Sequence, residues 1–308
     1  MAEAKILTVV IPIYNRANIV GRTLQCLSQQ DTRNFVLILV DNNSQDDSLK
    51  VLQTWKNENK DIDCTILTET IPGAAAARNC GLRNVTTEYV MFFDSDDVMT
   101  PSHISSAIKL LKANPQVDIL GWDINIQLSS GKYKKGRFCT KNPLVNHLIF
   151  ASMSTQRYVV KTNFIISVGG WNDKVRLWDD YELGVRLLLA NPVMLKRGGE
   201  IAVTTYFSEM SLTSHSYVEN KEVWEYPLHL ITKYIAESEA SMLPWVGYRK
   251  AILAAEYFSE GNGEEAERLM REISETGMNK CLAKLIFYWH TTFKRFSWVF
   301  PFVFLKKK

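Results

Sequence analysis

The sequence predicts an α/β protein with a mostly parallel sheet flanked by helices, followed by a helical C-terminal extension. Short apolar runs of the kind found in strands buried on both faces alternate with segments whose apolar residues recur at helical spacing. Strands that alternate with helices in this way are typical of a parallel sheet. The 308 residues are enough for one large α/β domain and an appendage.

Four apolar runs predict the strands of the parallel sheet: residues 7–13, 35–40, 64–67 and 89–93. Apolar residues at helical spacing follow the first and second runs, and a small-residue segment from Ala74 starts the helix after the third. Residues 131–136 predict a solvated hairpin turn. Ligands of such sheets gather at the carboxyl ends of the strands, where this sequence places polar residues.

Residues 1–215 are predicted to form the α/β domain and residues 216–308 the helical extension, with main helices at 219–239 and 248–273. The last 28 residues hold six Lys or Arg and no Asp or Glu, which leaves the rest of the chain mildly acidic. Aromatic and Leu residues interleaved with cations are typical of an interfacial helix on anionic lipid. We therefore expect peripheral membrane contact; a last helix packed on the body is the alternative.

Composition excludes several classes of protein. A hydrophobic fraction of 46% with 22% charged residues is typical of a folded soluble chain, not of a disordered one. Five scattered cysteines without Cys-x-x-Cys spacing favour reduced thiols over disulfides or zinc. The first residues carry no signal-peptide pattern, so a cytoplasmic protein is expected, with its membrane contact on the inner face of the cell membrane. Nucleic-acid binding has little support, because the cations concentrate in an aromatic segment.

The acidic cluster Asp94-Ser95-Asp96-Asp97 directly follows the fourth apolar run. Crowded carboxylates repel one another unless a cation joins them, and oxygen ligands suit hard ions such as Mg²⁺ or Mn²⁺. The cluster therefore predicts a metal-diphosphate site. An Asp-rich turn before a helix that begins near Pro101 is the alternative.

Four stretches in order carry a resemblance: VVIPIYNRANIVGRTLQCLSQQ, LILVDNNSQDDS, GAAAARNCGL and YVMFFDSDD. They resemble the family 2 glycosyltransferases of GT-A (Rossmann-like) fold, over about residues 5–215. The resemblance implies an inverting, hexosyltransferase-type enzyme of surface-polysaccharide synthesis. Such an enzyme moves a sugar from a nucleotide-diphosphate donor, most simply a UDP-sugar, to the hydroxyl of a glycan or lipid-linked acceptor. It also implies a divalent Mn²⁺ or Mg²⁺.

The resemblance also assigns donor-site residues. Those implied in nucleotide-sugar binding are Pro12, Tyr14, Asn15, Asp41, Arg78, Asp94 and Ser95. Asp96 is implied as the metal ligand, with Asp97 beside it as a capping residue. Three of these residues have an ordinary structural alternative: Tyr14 could cover the core, Asp41 could cap a helix, and Arg78 could be a surface cation rather than a pyrophosphate contact.

Further along, residues 168–173 and the run from Trp178 to Leu187 are similar to the family's GGF-(N/D)-E loop and its E-D-x-(D/E)-L-x-x-R-L helix. This likeness implies Asp180 as the general base, which would be ionised at neutral pH with an unperturbed pKa of ~3.9. Asp179 stands where the family usually has Glu, so either carboxylate could serve. Stabilisation of a helix N-terminus is the structural alternative, and Glu182 and Arg186 are read as structural.

Two tryptophans and a histidine complete the candidate set. Trp171 and Trp178 flank the base and could stack on the acceptor sugar, although Trp is as often packing. His215 could be a further metal ligand or touch the diphosphate, but a lone His is more often ordinary surface or core.

Two other classes of function stay open. A nucleotidyltransferase would need a Gly-rich phosphate loop after the first strand, and residues 14–18 contain no glycine. A catalytically inactive sugar-nucleotide-binding scaffold would need a misplaced Asp96 or Asp180.

Overall fold

The computed structural model describes residues 4–206 and 216–292. The strands within these residues are β1 (Leu7–Ile13), β2 (Val36–Asp41), β3 (Asp63–Thr68), β4 (Tyr89–Phe92), β5 (Val98–Met99), β6 (Ile119–Gly121), β7 (Ile124–Gln127), β8 (Tyr133–Gly136), β9 (Tyr158–Lys161), β10 (Met194–Lys196) and β11 (Val203–Thr205). The four predicted strands correspond to β1, β2, β3 and β4.

The central sheet has seven strands in the order β10-β6-β9-β4-β1-β2-β3. Its neighbours pair in parallel except for β9, which runs antiparallel to β4 and β6. This confirms the predicted mostly parallel sheet. Because side chains alternate between the faces of a strand, Val9 and Val10 of β1 enter hydrophobic clusters on opposite sides of the sheet.

The described helices are α1 (Val20–Ser28), α2 (Ser48–Glu58), α3 (Ala74–Arg83), α4 (His103–Ala113), α5 (Pro143–Phe150), α6 (Thr162–Ser167), α7 (Asp179–Leu189), α8 (Lys221–Ser238), α9 (Leu243–Ser259), α10 (Gly263–Glu272) and α11 (Lys280–Thr292). Helix α3 approaches the sheet closely at Gly81. A Cβ on this glycine would lie 2.3 Å from Cγ1 of Val10, so glycine allows the contact that sets the position of α3 above β1.

A second sheet, in the order β5-β11-β7-β8, lies beside the acidic cluster. Strand β5 begins directly after Asp97, so the acidic turn connects the two sheets. Strands β7 and β8 pair antiparallel across the turn that contains Gly131, which confirms the predicted hairpin.

The predicted helix over 219–239 corresponds to α8, whereas the predicted helix over 248–273 is wrong. The chain forms α9 and α10 there, separated at Gly261, which has φ +88°. The Asn262 side chain then caps α10 by accepting a hydrogen bond from the backbone N–H of Glu265 (3.2 Å). A left-handed glycine followed by a capping Asn ends one helix and starts the next.

The C-terminal helices share a hydrophobic core with the α/β part. Leu148 of α5 and Tyr181 and Val185 of α7 pack in one cluster with Trp224 and Leu228 of α8. Within the two described ranges, no helix combines the length and apolarity that a bilayer span requires. The five cysteines, all within the described ranges, are free thiols. The last aromatic and basic residues, 293–308, lie outside the described ranges.

Candidate active site

The loops after β1 and β2 are joined by hydrogen bonds at the carboxyl edge of the sheet. The backbone N–H of Asn15 donates to Ser44 Oγ (3.0 Å), and Asn15 Oδ1 accepts from the backbone N–H of Gln45 (2.8 Å). Asn15 has φ +49°, a conformation that Asn tolerates better than most residues. Beside it Tyr14 is 55% exposed, so its ring is available to a ligand, while Pro12 lies two residues earlier, within β1.

Asp41, at the end of β2, is 2% exposed. Its Oδ2 accepts a hydrogen bond from the backbone N–H of Ser44 (3.2 Å), but its buried Oδ1 has no partner among the described residues. A buried acceptor without a donor is costly, so a ligand donor at this position would stabilise the site.

The neighbouring Asn42 fixes the loop that precedes α3. Its Nδ2 donates to the carbonyls of Glu69 (2.8 Å) and Ile71 (2.7 Å), and its Oδ1 accepts from the N–H of Gly73 (2.8 Å). Gly73 has φ +125°, a conformation that disfavours side chains. Asn42 therefore sets the start of the helix that carries Arg78.

Arg78 bridges two carboxylates from different parts of the chain. Its Nη2 binds Asp94 Oδ1 (2.8 Å) and its Nη1 binds Asp179 Oδ2 (2.6 Å), while the guanidinium lies 4.5 Å from the centre of the Trp171 ring. The two carboxylates raise the pKa of Arg78 against the opposing effect of burial. The structure gives Arg78 a buried setting as the link between Asp94 and Asp179, so it is not the surface cation of the alternative interpretation. Its contact with a pyrophosphate stays a prediction.

The acidic cluster forms a turn in which the N–H of Asp97 points to the carbonyl of Asp94 (3.5 Å). Three residues of the cluster are hydrogen-bonded or buried. Asp94 accepts from Arg78 and from the Gln156 side chain, Ser95 is buried, and Asp97 Oδ1 accepts from the backbone N–H of Tyr206 (3.0 Å). Burial and the two neighbouring carboxylates hold the pKa of Asp97 well above its usual range.

Asp96 differs from its neighbours, because its carboxylate has no side-chain partner in the described part of the chain. Burial and the Asp94 charge raise its pKa, although Arg16 and Arg22 oppose this. A cation beside Asp96 would offset both effects. No cluster of three or more His, Cys, Asp or Glu in the described ranges could form a metal cage. One carboxylate fits a Mg²⁺ or Mn²⁺ that takes its other ligands from substrate phosphates and water.

Helix α7 presents Asp179 and Asp180 at its first turn. Asp179 is tied to Arg78 and also accepts from the N–H of Asp180 through Oδ1 (2.9 Å). The Asp180 carboxylate accepts no hydrogen bond from another side chain in the described residues. Burial, followed by the Asp179 charge, raises the pKa of Asp180 to about 7. The assumption of an unperturbed value near 3.9 is therefore wrong, and this carboxyl group can exchange a proton near neutral pH.

The two tryptophans lie in different surroundings. Trp171 is 2% exposed, packed edge-on to Phe92 at 5.1 Å and beneath Arg78, which corresponds to the packing alternative. Trp178 is half-buried and contacts Trp224 of α8 (5.1 Å) and Tyr181 (5.9 Å). Its backbone is left-handed (φ +57°), which is uncommon for a bulky residue. His215 lies outside the described residues.

Glu182 and Arg186 are structural residues, in agreement with the sequence interpretation. The completely buried Glu182 carboxylate binds Arg186 through two oxygens (2.8 and 2.7 Å) and accepts a hydrogen bond from the Tyr234 hydroxyl (3.1 Å). This network fixes α7 behind the first-turn carboxylates and ties it to α8.

Sequence reasoning missed Asn42, Gln156 and Arg157. Asn42 stood in the quoted stretch after the second strand, so its position was a usable signal. Gln156 binds Asp94 from a short 3₁₀ turn, and the buried Arg157 has its pKa lowered by burial to about 10, with the Asp180 charge as the main opposing influence. Neither residue stands in a recognisable motif.

Comparisons with known proteins agree with this geometry. The family model described as "Glycosyl transferase family 2" matches residues 8–168. An "Uncharacterized glycosyltransferase" of Haemophilus influenzae is 25% identical over 195 residues, covering 59% of this chain and 62% of the relative. The minor teichoic acid biosynthesis protein GgaA of Bacillus subtilis is 24% identical over 72% of this chain and 52% of its own length. The chain thus spans less than two thirds of these two relatives.

One further relative and two solved structures are similar over more of their length. The UDP-Glc:alpha-D-GlcNAc-diphosphoundecaprenol beta-1,3-glucosyltransferase WfgD of Escherichia coli is 24% identical over 71% of this chain and 84% of the relative. S. aureus TarS 1–349 in complex with UDP-GlcNAc has a TM-score of 0.66 at 18% identity, covering 82% of this chain and 73% of that one. Mannosyltransferase PcManGT from Pyrobaculum calidifontis, in complex with GDP-Man and Mn²⁺, has a TM-score of 0.57 at 17% identity, covering 96% and 89%. The structural likenesses concern the fold, and they confirm the predicted GT-A architecture.

Proposed function

Since the chain belongs to glycosyl transferase family 2, we propose that it is an inverting glycosyltransferase of hexosyltransferase type. It moves a sugar from a UDP-linked donor to the hydroxyl of a glycan or lipid-linked acceptor in surface-polysaccharide synthesis. One observation carries the proposal: Arg78 joins Asp94, at the donor edge of the sheet, to Asp179, the neighbour of a carboxyl group whose pKa is about 7.

The donor nucleotide lies at the ends of β1 and β2. The imide N–H of uracil can donate to the unpartnered Oδ1 of Asp41, and the exposed Tyr14 ring can stack on the base. Asn15 and Pro12 hold the backbone of this loop, and Asp94 and Ser95 lie where the ribose and sugar would follow. TarS was solved with UDP-GlcNAc and PcManGT with GDP-Man. Guanine also carries a ring N–H that a carboxylate can accept, so titration of both nucleotides tests the choice of UDP.

Asp96 holds the divalent metal ion together with the donor diphosphate. When bound, Mn²⁺ or Mg²⁺ neutralises the charge that develops on the departing nucleoside diphosphate. The protein contributes the carboxylate and engages Asp94 and Asp97 with other partners, so that Asp96 is the carboxylate of the acidic cluster left to meet the metal. His215 is retained in the proposal as a second contact to metal or diphosphate.

Asp180 acts as the general base. Its carboxylate takes the proton of the acceptor hydroxyl as that oxygen attacks the anomeric carbon, and the bond from that carbon to the diphosphate oxygen breaks with its electron pair leaving on the diphosphate. A single displacement of this kind inverts the anomeric configuration. Because Asp179 is committed to Arg78, Asp180 is the better candidate of the two carboxylates. Trp178 lies beside it on the acceptor side; Trp171 supports Arg78 from below.

The setting of the enzyme follows from its C-terminal part. We assign residues 1–215 to the glycosyltransferase domain and 216–308 to a helical extension that brings the enzyme to the inner face of the cell membrane from the cytoplasm. Leu285 (46% exposed) and Tyr288 (63% exposed) of α11 support this, since they present apolar surface just before the basic aromatic segment. Co-sedimentation with vesicles of anionic lipid tests the contact; absence of binding at low salt would contradict it.

Replacement of Asp180 tests the mechanism. The Asp180→Asn variant should lose at least 10³-fold in kcat, in the range expected for loss of a general base, while UDP affinity stays unchanged. Asp179→Asn is the matched neighbour: it should weaken the Arg78 bridge and lower activity less. Radiolabelled transfer from UDP-sugars measures the rate and calorimetry measures UDP binding. Full turnover by Asp180→Asn would remove Asp180 from the role of base.

A further inference from the structure

A large cleft lies beside the loop that leads into α7. Its volume is about 1020 Å³, and it lies between residues 174–176 and helices α8, α9 and α10. Lys174 and Arg176 line it from the loop, and Glu222, Tyr226 and His229 line it from α8. The cleft is distinct from the ends of β1 and β2, where the donor nucleotide is placed, so it is space that the donor does not use.

Four of the eight Lys, Arg and Glu residues that line the cleft form ion pairs. Lys221 binds Glu265 (2.6 Å), Lys250 binds Glu272 (3.3 Å), and Arg268 binds Glu225, Glu265 and Glu272 together. The charges of these three cations and three carboxylates cancel. The cleft therefore takes its net electrostatic character from the lining residues that stand outside this network.

Two cations of the cleft have no ion pair with any described residue. Lys174 and Arg176 are both exposed, and they point to an anionic ligand group near the loop. On the helical side, Glu222 and Glu275 also lack ion pairs within the described ranges, and Tyr226 is 36% exposed. Carboxylates that accept hydroxyl hydrogen bonds and an exposed aromatic ring suit a sugar. The cleft thus offers one region for an anion and another for a polyhydroxylated group.

The cationic pair is close to the proposed base. Arg176 precedes Asp180 by four residues, and four residues of extended chain span at most about 14 Å. With the reach of an Arg side chain added, a phosphate bound by Arg176 lies within roughly 20 Å of the carboxylate, a distance that an oligosaccharide of about four sugar units spans. A ligand in the cleft can therefore extend to the reacting hydroxyl.

We propose that this cleft binds the acceptor, and that Lys174 and Arg176 bind a phosphate group of it. The acceptor is thereby a phosphate-bearing glycan, either a sugar linked through diphosphate to a lipid or a glycan with phosphodiester links. Arg favours such groups because its planar fork donates two parallel hydrogen bonds to phosphate oxygens. This inference rests on the proposed glycosyltransferase function and names the substrate class of its acceptor side.

The test uses three probes on the full chain saturated with UDP and Mn²⁺. They are farnesyl-diphosphate-linked N-acetylglucosamine, an oligomer of glycerol phosphate, and chitotriose as the neutral probe, each titrated calorimetrically. One phosphate-bearing probe should bind at least tenfold more tightly than chitotriose. Preference for the first identifies a lipid-diphosphate acceptor, and preference for the second a phosphodiester polymer.

Charge-matched variants assign the effect to the loop. Lys174→Gln with Arg176→Gln should weaken the preferred phosphate probe at least tenfold, and Arg176→Lys alone should weaken it less, because Lys keeps the charge but cannot donate two parallel hydrogen bonds. The control is Lys50→Gln with Lys60→Gln, which removes two exposed cations near α2 and should change affinity less than twofold. Equal binding by both double variants, or chitotriose binding as tightly as the phosphate probes, would overturn the inference. UDP binding is measured first. If UDP binds and the phosphate probes show no preference, only the acceptor inference fails; if UDP does not bind, the proposed function itself fails.

Discussion

Asp180 is the residue whose chemistry depends most on its surroundings. Isolated in water, its carboxyl group would be ionised throughout the neutral range. Burial and the neighbouring Asp179 raise its pKa to about 7, whereas Arg78 limits the rise. A base with a pKa near the working pH combines a useful ionised fraction with enough basicity to accept a proton.

The raised pKa of Asp180 predicts that sugar transfer becomes faster as pH rises towards neutral. Because only ionised Asp180 can accept the hydroxyl proton, kcat/KM should rise about tenfold per pH unit below about pH 7 and level off above it. Rates measured from pH 5 to 9 with constant Mn²⁺ test this. A plateau that extends down to pH 5 would show that the carboxylate keeps its ordinary pKa.

The raised pKa of Asp180 makes transfer faster as pH rises, but over the same rise it makes the folded protein less stable. A carboxyl group whose pKa is raised on folding binds protons in the native state between about pH 4 and 7, so the free energy of unfolding falls as pH rises through that window. Asp180→Asn lacks this titration. Its stability relative to the unchanged protein should therefore increase from pH 5 to pH 8 in denaturant titrations.

For single residues, sequence analysis identified the carboxylates of the candidate site but not the side chains that bind them. Asp94 and Asp96 drew attention because they follow a predicted strand, which is a local pattern, whereas Asp180 was implied by the resemblance of its segment to a family motif. The contacts that build the site join distant parts of the chain: Gln156 lies 62 residues from Asp94, and Arg78, which also binds Asp94, lies 101 residues from Asp179. No local pattern encodes such contacts, and the hydropathy of Trp171 cannot distinguish packing from sugar stacking.

Among the elements, α7 depends most on its neighbours. Trp178 precedes it in a left-handed conformation that only surrounding contacts can maintain. Its ring packs on Trp224 of α8, and the Arg249 guanidinium of α9 lies 5.5 Å from Trp178 and 4.9 Å from Tyr181 while donating to the carbonyl of Ile149 (3.0 Å). The extension therefore holds the start of the helix that bears the base.

Arg249→Ala tests this support. Loss of the ring contacts, worth about 1–2 kcal/mol for a desolvated cation–π pair, should lower kcat roughly tenfold through misplacement of Asp180, with UDP affinity unchanged. Kinetics and calorimetry measure the two effects separately. Arg271→Ala, at an exposed position on α10, is the control. Equal kcat values for the two variants would show that α7 is positioned without Arg249.

Secondary structure followed from the sequence where the pattern was periodic and uninterrupted. Strands β1 to β4 and helix α8 agree with the predicted elements because apolar periodicity decides them locally. The boundary between α9 and α10 was missed because Gly261 stands within an otherwise helical pattern. The structure shows that its positive φ and the Asn262 cap break the helix there.

For the whole molecule, the division at residue 215 marks the end of the family-like motifs rather than the end of a core. Trp224, Leu228 and Ile231 of α8 are each at most 1% exposed and pack with residues of α5 and α7. The two parts should therefore unfold together.

Truncation after residue 215 tests this. The fragment would expose the apolar face of α7, so we expect it to be insoluble or to unfold at lower denaturant concentration than the full chain. Within the full chain, Trp224→Ala should lower the free energy of unfolding by about 3–5 kcal/mol, in the range for a buried large aromatic side chain. A stable, UDP-binding fragment of residues 1–215 would contradict the shared core.

The most direct test of the account is calorimetric titration of UDP and GDP, with and without Mn²⁺, into the unchanged protein and its Asp96→Ala variant. Asp173→Ala, which removes an exposed carboxylate, serves as control. We expect Mn²⁺-dependent binding of UDP that is at least tenfold tighter than that of GDP, is retained by Asp173→Ala and is lost by Asp96→Ala. Absence of UDP binding under every metal condition, or equal binding by Asp96→Ala, would contradict it.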